Sequence, residues 1–152
     1  MIIKLGTYFT LDELTVSQTA MRRGLDNTPP REAMECLFSL VHNVLDPLRI
    51  ALGKPLGVTS GYRSEEINRL VGGSPTSDHR LGRAADVHQP EMSVRGLMRF
   101  VIARNLPFDQ MIDEFGRWMH ISFREGRNRQ QLLQARRING QTWYSHIEVS
   151  SL

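Results

Sequence analysis

Between Asn27 and Gly53 the apolar residues Met34, Leu37, Phe38, Val41, Val44, Leu45 and Leu48 recur at spacings of three and four. That period marks one face of a helix. Pro30 suits the first turn of such a helix, whereas Pro47 lies inside the pattern and predicts a kink or break near Asp46. Before it, TLDEL (10–14) and SQTAMRRG (17–24) read as short helical turns, the first capped by Thr10 and the second ended by Gly24. SEEINRLV, capped by Ser64, and SVRGLMRFVIARN (93–105), capped by Ser93, read as two further helices. Strand patterns fall in LGVTSGY (56–62) and RAADVH (83–88), with the loop-rich GGSPTSDHRLG between them. Near the end, FDQMIDE (108–114) and WMHISF (118–123) flank the Gly-containing turn Phe115-Gly116-Arg117. QQLLQARRI and QTWYSHIEV flank Asn139-Gly140, a strong hairpin signal. Helices first and antiparallel strands last predict an α+β class.

The 152 residues suit one domain spanning 1–152, since no repeat, low-complexity tract or long linker divides them. A net charge of +3 admits an anionic partner such as nucleic acid, a membrane surface or an acidic wall polymer, but selects none of them. Cys36 is the single cysteine, so no internal disulfide forms; it reads as a small apolar residue on a helix face. The N-terminal MIIKLGTYFTLDEL lacks the pattern of a signal peptide, and no stretch reaches the roughly 20 apolar residues of a membrane span. The expectation is a chain made in the cytoplasm without membrane insertion, which needs another agent to release it if it works outside.

Two imidazoles and a carboxylate change this picture. SDHRLGRAAD (77–86) places His79 and Asp86 either side of Gly82, with small Ala84 and Ala85 leading up to the Asp. In WMHISF, alternation sends Trp118, His120 and Ser122 to one face, a cleft or solvent, and Met119, Ile121 and Phe123 to the core. His79, Asp86 and His120 together form a ligand set that suits Zn²⁺ with a fourth position open. A metal-activated water needs a nearby carboxylate to move its proton. Glu114 is the candidate, because the turn folds it back toward His120; Asp113 points to the other face and reads as structural. A straight strand would hold Glu114 and His120 about 20 Å apart, so this assignment depends on the hairpin. Glu114 as a solvated hairpin carboxylate remains the alternative from spacing alone.

SDHRLGRAAD fits the Ser-x-His-x-x-Gly-x-Ala-x-Asp signature of the zinc D-Ala-D-Ala carboxypeptidase and peptidoglycan endopeptidase family through Ser77, His79, Gly82, Ala84 and Asp86. TSGYRS (59–64) resembles the family's Ser-Gly-Tyr-Arg segment, and EFGRWMHISF its Glu…Trp-x-His strand. The likeness runs from about residue 7 to 137, and LDNTPP before the long helix resembles the phage-encoded branch. The resemblance implies an α+β fold in which a small antiparallel sheet, with helices packed on one side, holds Zn²⁺ through His79, Asp86 and His120. It implies Glu114 as general base and acid. Arg63 would be the helper that binds substrate and steadies the oxyanion, and Ser77 would bind substrate, orient the metal loop or only make its turn. In several members the carboxylate stands three residues before the last His; that position here is Arg117, and Glu114 stands six before. This spacing resembles another branch and the related zinc site of hedgehog domains, which keep such a centre without established peptidase function.

The implied activity is zinc-dependent hydrolysis of peptidoglycan stem peptides, by a monomer of the phage endolysin kind that a holin releases to the wall. Which stem-peptide bond is cut lies in pocket shape. One rival is a non-catalytic zinc domain that binds wall or a protein partner. A second, nucleic-acid binding through Arg22, Arg23, Arg127, Arg129, Arg136 and Arg137, is disfavoured because these arginines are scattered and lack aromatic interleaving. His88, two residues beyond Asp86, is a rival ligand or a structural residue, the latter favoured. His42 and His146 have no partner pattern, and Trp118 packs beside the site or meets substrate.

Overall fold

A computed structural model describes all residues, 1–152. Each short helix begins where a hydroxyl can accept a free backbone N–H. Thr10 caps α1 (Leu11–Leu14), Ser17 caps α2 (Gln18–Arg23), Ser64 caps α5 (Glu65–Leu70) and Ser93 caps α6 (Val94–Ala103). The long apolar stripe folds as α3 (Arg31–Leu40), a π turn (Val41–Leu45) and α4 (Asp46–Leu52) in unbroken succession. Pro47 therefore does not end the helix. The widened turn stands immediately before it, where a missing N–H and the ring's bulk are most easily absorbed. Leu37, Leu40, Val41, Val44, Leu45 and Leu48 are completely buried along this rod.

Six strands form one sheet in the order β1-β2-β4-β3-β5-β6: β1 (Gly57–Ser60), β2 (Ala84–His88), β3 (Gln110–Glu114), β4 (Trp118–Ser122), β5 (Gln131–Ile138) and β6 (Gln141–His146). The α+β class holds, but the sheet is mixed: β3 and β5 run parallel, and every other pairing is antiparallel. The reason is the route of the chain. β4 ends beside the start of β3, so a short segment can swing round that start and lay β5 along its free side. Asp109, fully buried just ahead of β3, holds this segment through both oxygens: Arg129 donates from its backbone N, Nε and Nη2, and Arg124 Nε lies 3.2 Å away.

One face of the sheet closes the main core. Ala85, Val87, Met111, Met119, Ile121, Phe123 and Leu132 pack there with residues of α1, α3, α4 and α6. The opposite face carries Asp86, His120, Ile112 and Glu114, the last two beside Leu133 and Ala135 of β5. The alternation expected for β4 is present, although His120 and Ser122 are buried and do not open to solvent. No helix is long and apolar enough to cross a membrane.

Candidate metal centre

The site starts from strand register. Asp86 of β2 lies directly opposite His120 of β4, so the ladder delivers a carboxylate and an imidazole to one face at adjacent positions. His120 Nδ1 is 3.2 Å from Asp86 Oδ1. His79 reaches the same oxygen from a 3₁₀ turn (Asp78–Leu81), its Nε2 also 3.2 Å away. One potential ligand atom from each of the three residues falls within 4.8 Å of the others, so the three can hold a metal ion.

Two glycines let the backbone assemble this geometry. Gly82 ends the 3₁₀ turn with a φ of 73°, and a Cβ there would also strike the Ala33 carbonyl of α3. Gly61 presses against the Leu14 carbonyl, which leaves no room for a side chain. Its own carbonyl accepts from His79 Nδ1 at 2.7 Å. A carbonyl only accepts, so Nδ1 donates to it, and Nε2 is the ring nitrogen that faces Asp86. Metal-bound imidazoles are oriented by this kind of bond.

The donor set passes a chemical test for a metal ion such as Zn²⁺. His79, Asp86 and His120 are all buried, and two nitrogens and one oxygen suit a borderline cation. Burial alone would raise the Asp86 pKa. The facing imidazoles of His79 and His120 outweigh it and hold the carboxyl well below its usual range, as an anion.

Glu114 pairs with Trp118 in the hairpin, two residues along the ladder from the Ile112–His120 pair, and so shares the face of His120. It is 9% exposed. Burial pushes its pKa up to about 7, with His120 and Arg63 pulling it down and Asp86 pushing it up. A carboxyl poised near neutrality can both accept and return a proton.

Arg63 follows β1 and is half-buried. Burial lowers its pKa, while the charges of Asp86 and Glu114 act in the opposite sense. Its backbone N donates to the His79 carbonyl at 3.0 Å, and Nη2 lies 3.5 Å from Ser77 Oγ, leaving Nε buried without a partner. Ser77 is the cap of the 3₁₀ turn, accepting from His79 N at 3.2 Å. The structure thus gathers all six residues singled out in the sequence: His79, Asp86, His120, Glu114, Arg63 and Ser77.

Other candidates stand apart. His88 lies over Gly57, whose missing Cβ makes room for the ring, and does not join the ligand cluster. His42 and His146 are exposed. Asp113 faces away and pairs with Arg95 at 2.6 Å. Cys36 is half-buried and outside the main core.

Sequence reasoning missed two contributors. Asn27, inside LDNTPP, donates to the carbonyls of Thr15 and Tyr62 and accepts from Ser64 N, which clamps the segment carrying Arg63. Tyr144 of β6 lies within reach of the charges of Glu114, Asp86 and Arg63. The strong turn at Asn139-Gly140 signals the hairpin, but only the partner of β5 could show where Tyr144 lies.

A family model described as Peptidase M15 matches residues 7–122. No curated protein matches the chain.

Proposed function

We propose, since this chain belongs to the Peptidase M15 family, that it is a zinc-dependent peptidase cutting the stem peptides of peptidoglycan. The observation that carries the reading is the convergence of His79, Asp86 and His120 on one point, with Glu114 on the same sheet face. His79 Nε2, Asp86 and His120 would hold Zn²⁺, which when bound supplies Lewis-acid polarisation of the scissile carbonyl and acidifies water. Glu114 takes the proton of the attacking water and returns it to the leaving amine. Arg63 donates from its guanidinium to the oxygen that gains charge. Ser77 holds the turn that presents His79 and offers a hydroxyl beside Arg63 to substrate. The net charge of +3 is compatible with an anionic wall. Action at the wall after release from the cytoplasm, in the manner of a phage endolysin, extends the same proposal.

The test is mass analysis of fragments released from purified peptidoglycan by the zinc-loaded chain, with and without a chelator. Expected are peptide fragments that disappear on chelation and fall about 10²-fold or more in Glu114→Gln at unchanged zinc content. A zinc-loaded chain that leaves the wall intact would make this a binding domain. Undiminished cleavage by Glu114→Gln would remove Glu114 from the mechanism.

A further inference from the structure

β5 and β6 lie beyond the matched segment, which ends at residue 122, yet they extend the sheet on the side of Glu114. The register runs in a line. Glu114 lies beside Ala135, and Ala135 beside Tyr144. Paired residues of neighbouring strands share a face, so Tyr144 stands on the face of the metal cluster, roughly 10 Å across the ladder from Glu114. Ala135 between them contributes only a methyl, so nothing tall separates the phenol from the carboxyl.

The electrostatics agree with this register. The Tyr144 pKa is raised by burial of its hydroxyl and then by the charges of Glu114 and Asp86, with Arg63 opposing. Three groups of the centre therefore act on an atom carried by an edge strand. The residue remains 55% exposed, so solvent or a ligand can reach it. No hydrogen bond within the chain occupies the hydroxyl. Arg63 follows β1 at one edge of the sheet and Tyr144 comes from β6 at the other, with the ligands and Glu114 on the strands between. A peptide laid over the centre presents carbonyl and carboxylate oxygens along its length, and a neutral phenol is a donor to either.

We propose that Tyr144 is a substrate-contacting residue whose phenol O–H donates a hydrogen bond to an oxygen of the bound peptide, on the side of the reacting centre opposite Arg63. The hairpin β5–β6 is then a wall of the substrate cleft that this chain adds to the matched segment. The proposal rests on the peptidase reading above.

The experiment compares zinc-loaded wild type, Tyr144→Phe and Tyr144→Ala on purified muropeptides, measuring kcat/KM, zinc content and Tm. The expected result is a fall in kcat/KM of at least fivefold in Tyr144→Phe, which keeps the ring and loses only the donor, with zinc content and Tm unchanged. A smaller fall in Tyr144→Phe overturns the proposal, including the case where Tyr144→Ala alone loses activity, because the ring and not the hydroxyl then matters. A fall accompanied by lost zinc or a lowered Tm also overturns it, assigning the residue to the fold. Wild type inactive on every muropeptide would instead refute the peptidase reading, an outcome separate from these.

Discussion

At Glu114 the cost of burial meets the proposed chemistry. Its pKa rises from the ordinary 4.5 to about 7 because burial disfavours the charged form. A group whose folded pKa lies above its unfolded one favours the fold below the unfolded value, and loses that contribution as pH rises through the folded value. In the metal-free chain, Glu114 therefore costs stability above pH 7 that it does not cost near pH 4. Glu114→Gln removes the titration. We expect the metal-free variant to be more stable than metal-free wild type at pH 8, by about 2–3 kcal/mol, and similar to it near pH 4. Urea denaturation at the two pH values checks this, and equal stabilities at pH 8 would show that Glu114 ionises without strain. At this scale the sequence was most informative. His79, Asp86, His120 and Gly82 were legible because each type has a narrow chemical use. Gly61 and Asn27 were not fully legible, since their roles are contacts with Leu14 and Ser64 that no local pattern encodes.

Elements were legible to the extent that their signals are local. Caps at Thr10, Ser64 and Ser93 lie at the helix starts, because a hydroxyl meets an N–H only three residues away. Asn139 and Gly140 both adopt positive φ, 50° and 78°, as a tight hairpin turn requires. The parallel pairing of β3 with β5 was illegible. Alternation within a strand says which face is buried, but not on which side of β3 the chain returns. That choice is written in a tertiary contact, the carboxylate of Asp109 holding Arg124 and Arg129. Burial would raise the Asp109 pKa, but its bonds to Arg129 and the two cations hold it below the ordinary range. Asp109→Asn turns an acceptor into a donor facing guanidinium N–H groups. Both arginines are about half exposed, which tempers the cost. The expected loss is about 2 kcal/mol, or roughly 4–8 °C in Tm, with zinc still bound by the folded chain. A variant as stable as wild type would mean that the strand order is set elsewhere.

For the molecule as a whole, a metal ion held by His79, Asp86 and His120 would be a cross-link as well as part of the proposed chemistry. His79 comes from the turn that touches α3 and α5, Asp86 from β2 and His120 from β4, so an ion held by all three ties the loop region to the middle of the sheet. The same ligands are dispersed in the unfolded chain, and an ion that binds only the folded form stabilises it by mass action. At free Zn²⁺ about 1,000 times its dissociation constant the gain is about 4 kcal/mol, which corresponds to roughly 8–16 °C in Tm. Thermal unfolding with Zn²⁺ and with chelator measures it. His120→Ala should abolish most of the shift, and Glu114→Gln should keep it, because Glu114 is not among the three candidate ligands. Protons compete with the ion for imidazole nitrogen, so the shift should be large at pH 7.5 and shrink toward pH 5. A shift that persists undiminished in His120→Ala would place the stabilising ion at other residues, and the chemistry assigned to Glu114 and Arg63 would lose its anchor.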